Sequence, residues 1–390
     1  MSDGLDRSIA KLLGVGFASG SVDASLRALL DRGVGGVVLF SRNVGEPGQV
    51  AELQRELSEA AGRPLLRMVD QEGGRVARLR EGFTVPPSMR ALGRAGDADL
   101  AEAVGRLLGR ELAAVGFNVN LAPVLDLATN GDSRVIGDRS LGTEPGAVSA
   151  MAGALIRGIE STGVASCGKH FPGHGDTPVD SHVELPRLGV SLEVMRRREF
   201  VPFEAAIAAG VSTMMPGHLV IEALDAALPA TMSRSVVHGL LREAMGFEGL
   251  IISDDLEMGA IAEHFGVERA VVAAVNAGVD LLMVSHRHDR VDAAIEALRL
   301  AVERGEVSRS RIEDAGRRID RLAARCVAKI QPTDWRAVVG CDEHRRVVDA
   351  VLKKASIEER GAAADPTVGW RSDAADFGRV KKPRASKARA

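Results

Sequence analysis

"GLIISDDLEMGAIAEHFGVERAVVAAVNAGVDLLMVS" spans Gly249–Ser285 and holds one full repeat of the pattern that sets the fold. A short apolar run ends in Ser253, Asp254 and Asp255. A segment of helical period follows, with apolar residues three or four apart through "VERAVVAAVNAG", and Gly278 closes it as a left-handed C-cap prefers. A second apolar run then ends at Ser285, with His286 directly behind it. Strand, helix and strand, with strands apolar along their whole length, imply a parallel pair buried on both faces.

The same alternation extends in both directions. The runs are "LLGVGF" from Leu12, "GGVVLF" from Gly35, "LLRMVD" from Leu65, "FNVNLAP" from Phe117, "VASCGKH" from Val164, "VSTMMPG" from Val211, "GLIISDD" and "VDLLMVS". Between them lie helical stretches such as "DASLRALLDRG" and "LAEAVGRLLGRELAAVG", most of them ending in Gly. Eight such units predict an α/β fold, a single (β/α)₈ TIM-type barrel with a C-terminal extension. An open doubly wound sheet is the alternative, but "GVGFASG" is too short to be its dinucleotide fingerprint. The barrel is expected over 1–330, a peripheral helical extension over 331–360, and a disordered basic tail, ending "VKKPRASKARA", over 361–390.

Composition narrows the partners. A net charge of −3 with 26% charged residues offers no global basic surface for nucleic acid, and 3% aromatics offers no base-stacking platform. Tyr is absent, so the catalytic menu reduces to carboxylates, His, Lys, Ser and Cys. Cys167, Cys326 and Cys341 are too few for a disulfide framework and lack CxxC spacing, which fits a reduced compartment. Cys167, inside an apolar run, reads as a buried structural thiol. The N-terminal segment carries acids early and is broken by Gly, unlike a signal peptide, and no apolar run is long enough to span a membrane. A cytoplasmic monomer without membrane or nucleic-acid partners is expected.

Polar residues gather at the ends of the runs: Asp70 after the third, Lys169 and His170 after the fifth, His218 behind the sixth, Asp254 and Asp255 after the seventh, and Ser285 and His286 after the eighth. In a barrel these ends converge on one mouth. The densest stretch is "KHFPGHGDTPVDSH", Lys169–His182, with three of the chain's nine histidines. Three readings compete for it. A metal site lacks any HExxH or Cys/His ligand spacing, and a phosphate cradle lacks GxxxxGK[ST]. The acid/base reading needs only what is present: Asp180, two residues from His182, can orient the imidazole and raise its proton affinity, facing a carboxylate of "SDD" across the mouth. No metal or organic cofactor is expected.

Four motifs, "DQEGGRVARL", "GDRSLG", "KHFPGHGDTPVDSHVELP" and "SDDLEMGAI", resemble those of bacterial β-N-acetylglucosaminidases of glycoside hydrolase family 3, the NagZ type, over roughly residues 10–325. The resemblance implies a retaining exo-glycosidase acting on a GlcNAc-containing oligosaccharide or muropeptide. It makes Asp254 the nucleophile, His182 the proton carrier and Asp180 its orienting partner. It also makes Asp70, Arg78, Arg139, Lys169 and His170 the groups that hold the sugar. Asp255 reads as a structural carboxylate, with a catalytic role as the alternative. His174 positions the loop backbone, and His218 either lines the pocket or fills its wall. Three other readings stay open: a β-N-acetylglucosaminide phosphorylase, a broad-specificity β-glucosidase/hexosaminidase, and a non-catalytic sugar-binding protein.

Overall fold

The computed structural model describes residues 2–129, 135–175, 185–331 and 333–355. Asp180, His182 and the basic tail lie outside them. Eight strands form a closed barrel: β1 (Leu13–Val15), β2 (Gly36–Leu39), β3 (Leu66–Val69), β4 (Val119–Asn120), β5 (Ala165–Phe171), β6 (Thr213–Pro216), β7 (Leu250–Asp255) and β8 (Leu281–Val284). Each pairs in parallel with its neighbour in sequence, and β1 closes on β8 with Leu13 opposite Leu282. All eight apolar runs became barrel strands. They are apolar throughout because the barrel interior takes one face and the surrounding helices take the other.

The interior is filled by Val38, Leu66, Met68, Val119, Cys167, Met215, Ile252, Leu281 and Met283. Ile319, Leu322, Ala323 and Cys326, from the long helix Arg309–Lys329, join the same cluster. Burial holds the Cys167 thiol up at about 12, so it is a packing group and not a nucleophile. Helix boundaries follow local chemistry. Asp23 caps the helix Ala24–Arg32 by accepting from the Leu26 N–H at 2.8 Å. Gly116, at φ +104°, ends the helix Ala98–Val115 just before β4, and a Cβ there would come within 2.8 Å of Gln54.

β4 is only two residues long, and asparagine side chains continue its pairing with β3. The Asn118 amide accepts from the Arg67 N–H at 2.7 Å and donates to the Leu65 carbonyl at 2.8 Å. The Asn120 amide accepts from the Gln71 N–H at 3.1 Å and donates to the Gln71 carbonyl at 3.0 Å.

Past β3 the chain forms an arm over residues 71–88, built on a small antiparallel hairpin of Gln71–Gly73 with Val76–Ala77. At the other end of the chain, the helices Trp335–Val338 and Asp342–Ala355 pack against the helices Met89–Ala95 and Ala98–Val115. Among the described residues, no helix is long and apolar enough to cross a membrane.

Candidate active site

The strand ends converge on a pocket whose floor is apolar, formed by Val38, Leu121, Met215 and Met283. Every described residue expected to take part lines it: Asp70, Arg78, Arg139, Lys169, His170 and Asp254. Asp70 directly follows β3, Lys169 and His170 belong to β5, and Asp254 is the penultimate residue of β7. Arg139 comes from the short turn Gly137–Arg139 and Arg78 from the arm.

One wall is a charge network. The Lys169 ammonium bridges Asp70 at 2.7 Å and Glu72 at 2.8 Å. Arg139 grips both Glu72 oxygens at 2.8 Å, and Arg78 reaches Asp70 at 3.4 Å. Burial alone would push the Glu72 carboxyl upward, but Arg139 and Lys169 outweigh it and hold the group well below the usual carboxylate range. Asp70 is likewise lowered: Lys169 and Arg78 overcome its desolvation. The same carboxylates hold the Lys169 ammonium charged against its own burial. The result is a set of donors and acceptors that hold one another in place.

A second cluster orients the histidines. Asp126, fully buried, accepts from His170 Nδ1 at 2.7 Å, from the His170 N–H at 3.2 Å and from the His174 N–H at 2.7 Å. His170 and His174 meet edge to face, with ring centroids 5.9 Å apart. Burial and the neighbouring His170 lower His174 to about 4, which keeps it neutral.

The opposite wall separates two adjacent carboxylates. Asp255 accepts from the Ser285 hydroxyl, from the Glu257 N–H at 3.1 Å and from His286 Nε2 at 3.0 Å. Burial pushes its carboxyl up, yet the bonds from His286 and Ser285 bring it below its ordinary value. Asp254 is half-buried, and among the described residues its side chain takes one hydrogen bond, from the Asp255 N–H at 2.8 Å. Among the described residues no cation pairs with it. Glu257, raised to about 7 by burial and by Asp255, accepts from the His286 N–H at 2.6 Å and so ties the ends of β7 and β8 together. His218 resolves in favour of filling the wall: it is fully buried, and its Nε2 donates to the Asp255 carbonyl at 2.9 Å.

Sequence reading missed Glu72, Asp126 and Glu257 as parts of this site, whereas His286, expected at the mouth behind the eighth run, does line the pocket. Glu72 and Glu257 lie inside the motifs "DQEGGRVARL" and "SDDLEMGAI". Asp126, in "VLDLA", carried no signal beyond a lone charge in an apolar stretch.

Comparison places this barrel and its polar mouth among the glycoside hydrolases. The model of the glycosyl hydrolase family 3 N-terminal domain matches residues 4–322, and the chain belongs to this family of glycoside hydrolases. It is 42% identical over 282 residues to a β-hexosaminidase of Thiobacillus denitrificans, covering 71% of this chain and 78% of that one. A β-hexosaminidase of Neisseria meningitidis serogroup C is 41% identical over 279 residues, covering 70% of this chain and 77% of that one. Among solved structures, a family 3 β-N-acetylglucosaminidase from Paenibacillus superposes with a TM-score of 0.87 at 40% identity, covering 90% of this chain and 68% of that one. Native NagZ from Neisseria gonorrhoeae gives 0.75 at 32% identity, covering 89% and 98%.

Proposed function

We propose that this glycoside hydrolase is a retaining exo-β-N-acetylglucosaminidase that removes terminal non-reducing GlcNAc from muropeptide fragments such as GlcNAc-anhydroMurNAc, in the recycling of peptidoglycan. The observation that carries the reading is the division of labour on β7: Asp255 is locked by three donors, while Asp254 beside it is left free to attack. The relatives named β-hexosaminidases and β-N-acetylglucosaminidases support the choice of sugar.

In this reading Asp254 attacks the anomeric carbon as protonated His182 donates to the leaving oxygen. His182 then takes a proton from water, which hydrolyses the glycosyl-enzyme. Asp180 orients His182. Asp70, Arg78, Arg139, Lys169 and His170 hold the sugar hydroxyls and the N-acetyl group. The cytoplasm is the proposed location, supported by three free thiols.

Paired aryl β-GlcNAc and aryl β-glucoside substrates test the assignment, with and without phosphate. Preferential hydrolysis of the GlcNAc substrate with retained configuration is expected. GlcNAc-1-phosphate as the product in phosphate would make the enzyme a phosphorylase. Equal turnover of the two aryl glycosides would make it a broad-specificity glycosidase. Failure to turn over either substrate would leave a sugar-binding protein.

A further inference from the structure

The arm that forms one pocket wall is also held from outside the barrel. Residues 335–355 lie beyond the segment matched to the family, 4–322. Their contact with the barrel includes a buried carboxylate, Glu111, which is 3% exposed inside the helix Ala98–Val115. Glu111 Oε1 accepts from the Gly340 N–H at 2.9 Å and from His344 Nδ1 at 2.8 Å, and its Oε2 accepts from the Thr84 N–H at 2.9 Å. One carboxylate therefore joins three separate segments. Thr84 belongs to the arm, which carries Glu72, Val76 and Arg78 into the pocket.

Two further contacts fix this junction. A Cβ on Gly340 would come within 2.5 Å of the Gly82 carbonyl oxygen, so the two backbones touch. The arm closes on itself where the Gly74 N–H donates to the Pro86 carbonyl at 2.9 Å, so tension at Thr84 passes to the hairpin that bears Arg78. His344 is 2% exposed and its Nε2 is buried without a hydrogen-bond partner. An apolar side chain would fill that space without such a loss; the imidazole supplies the bond at Nδ1 that an apolar group cannot.

We infer that the helix Asp342–Ala355 is a clasp on the sugar-binding arm, and that His344, acting through Glu111 and Thr84, is a positioning residue for Arg78 and Glu72. The inference rests on the proposed role of those two residues in holding the sugar.

Full-length His344→Ala and His344→Asn test it, because the Asn amide nitrogen can stand where Nδ1 stood. Hydrogen exchange over residues 74–88 reads the clasp without reference to activity. Exchange there should quicken in His344→Ala, remain unchanged in β6–β8, and return to the wild-type rate in His344→Asn. On an aryl β-GlcNAc substrate, KM should rise about tenfold in His344→Ala with kcat within about twofold, and His344→Asn should recover KM. Unchanged exchange in the arm, or a lower Tm with KM unaltered, overturns the clasp. If the wild-type protein turns over no GlcNAc substrate, the functional reading fails, and the exchange data alone decide whether the clasp exists.

Discussion

The guanidinium of Arg139 meets the carboxylate of Glu72 edge to edge, two 2.8 Å hydrogen bonds between side chains that are 8% and 1% exposed. A buried pair of this kind is costly to break from one side, because the surviving charges lose their compensation. Glu72→Gln removes the carboxylate charge that Arg139 and Lys169 share. A stability loss of about 3–5 kcal/mol is expected by chemical denaturation, with loss of sugar binding. An unchanged denaturation midpoint would show that the network is not part of the folded core.

Asp254→Ala should abolish turnover of every glycoside. His182→Ala should lose roughly 10²–10⁴-fold where the leaving group needs a proton. On a dinitrophenyl glycoside its first step should survive, the glycosyl-enzyme should accumulate, and azide should speed turnover to a β-configured azide product. Equal slowness on activated and unactivated substrates, with no azide effect, would remove His182 from the acid/base role.

Two groups at the barrel mouth, His174 in the pocket lining and Glu257 behind it, give opposite pH dependences of stability. His174 is held at about 4, below its unfolded value, so its contribution is full above pH 6.5 and is lost as pH falls toward 4. Glu257 is held up at about 7, so its contribution is full below pH 4.5 and is lost as pH rises through 7. Between these limits they oppose each other. In thermal melts over that range, His174→Gln should show Tm falling with pH and Glu257→Gln should show Tm rising. Parallel curves for the two variants would refute the assignment.

His218 holds the main chain at the end of β7 through the Asp255 carbonyl. His218→Ala should move Asp254 without touching the groups that hold the sugar. A fall in kcat of about tenfold with KM within about twofold is expected. A rise in KM with kcat intact would place His218 on the binding side instead.

The barrel was legible because burial on two faces leaves a continuous apolar run that neither a loop nor a surface helix imitates. The strand-end positions of Asp70, Lys169, His170 and Asp254 were legible for the same reason, since topology alone brings them to one mouth. The partnerships were not. Glu72 meets Arg139 across 67 residues and Asp126 meets His170 across 44, and nothing local to either marks the match. Nor did helical period reveal that His344 is buried against Glu111. A helix pattern shows which face turns inward, but not which inward polar group finds a partner.

The seam between β3 and β4 puts an unusual demand on two positions. Where backbone pairs with backbone, almost any side chain will serve. At Asn118 and Asn120, the side chain itself must present a planar acceptor and donor side by side, as a peptide unit does. An aspartate would set oxygen against a carbonyl, and a leucine of similar size would leave both strand groups unmet. Lengthening to glutamine would shift the contact along the strand. The wall that carries Asp70 and Glu72 is therefore held in part by two side chains whose chemistry has almost no substitutes, although neither asparagine lines the pocket.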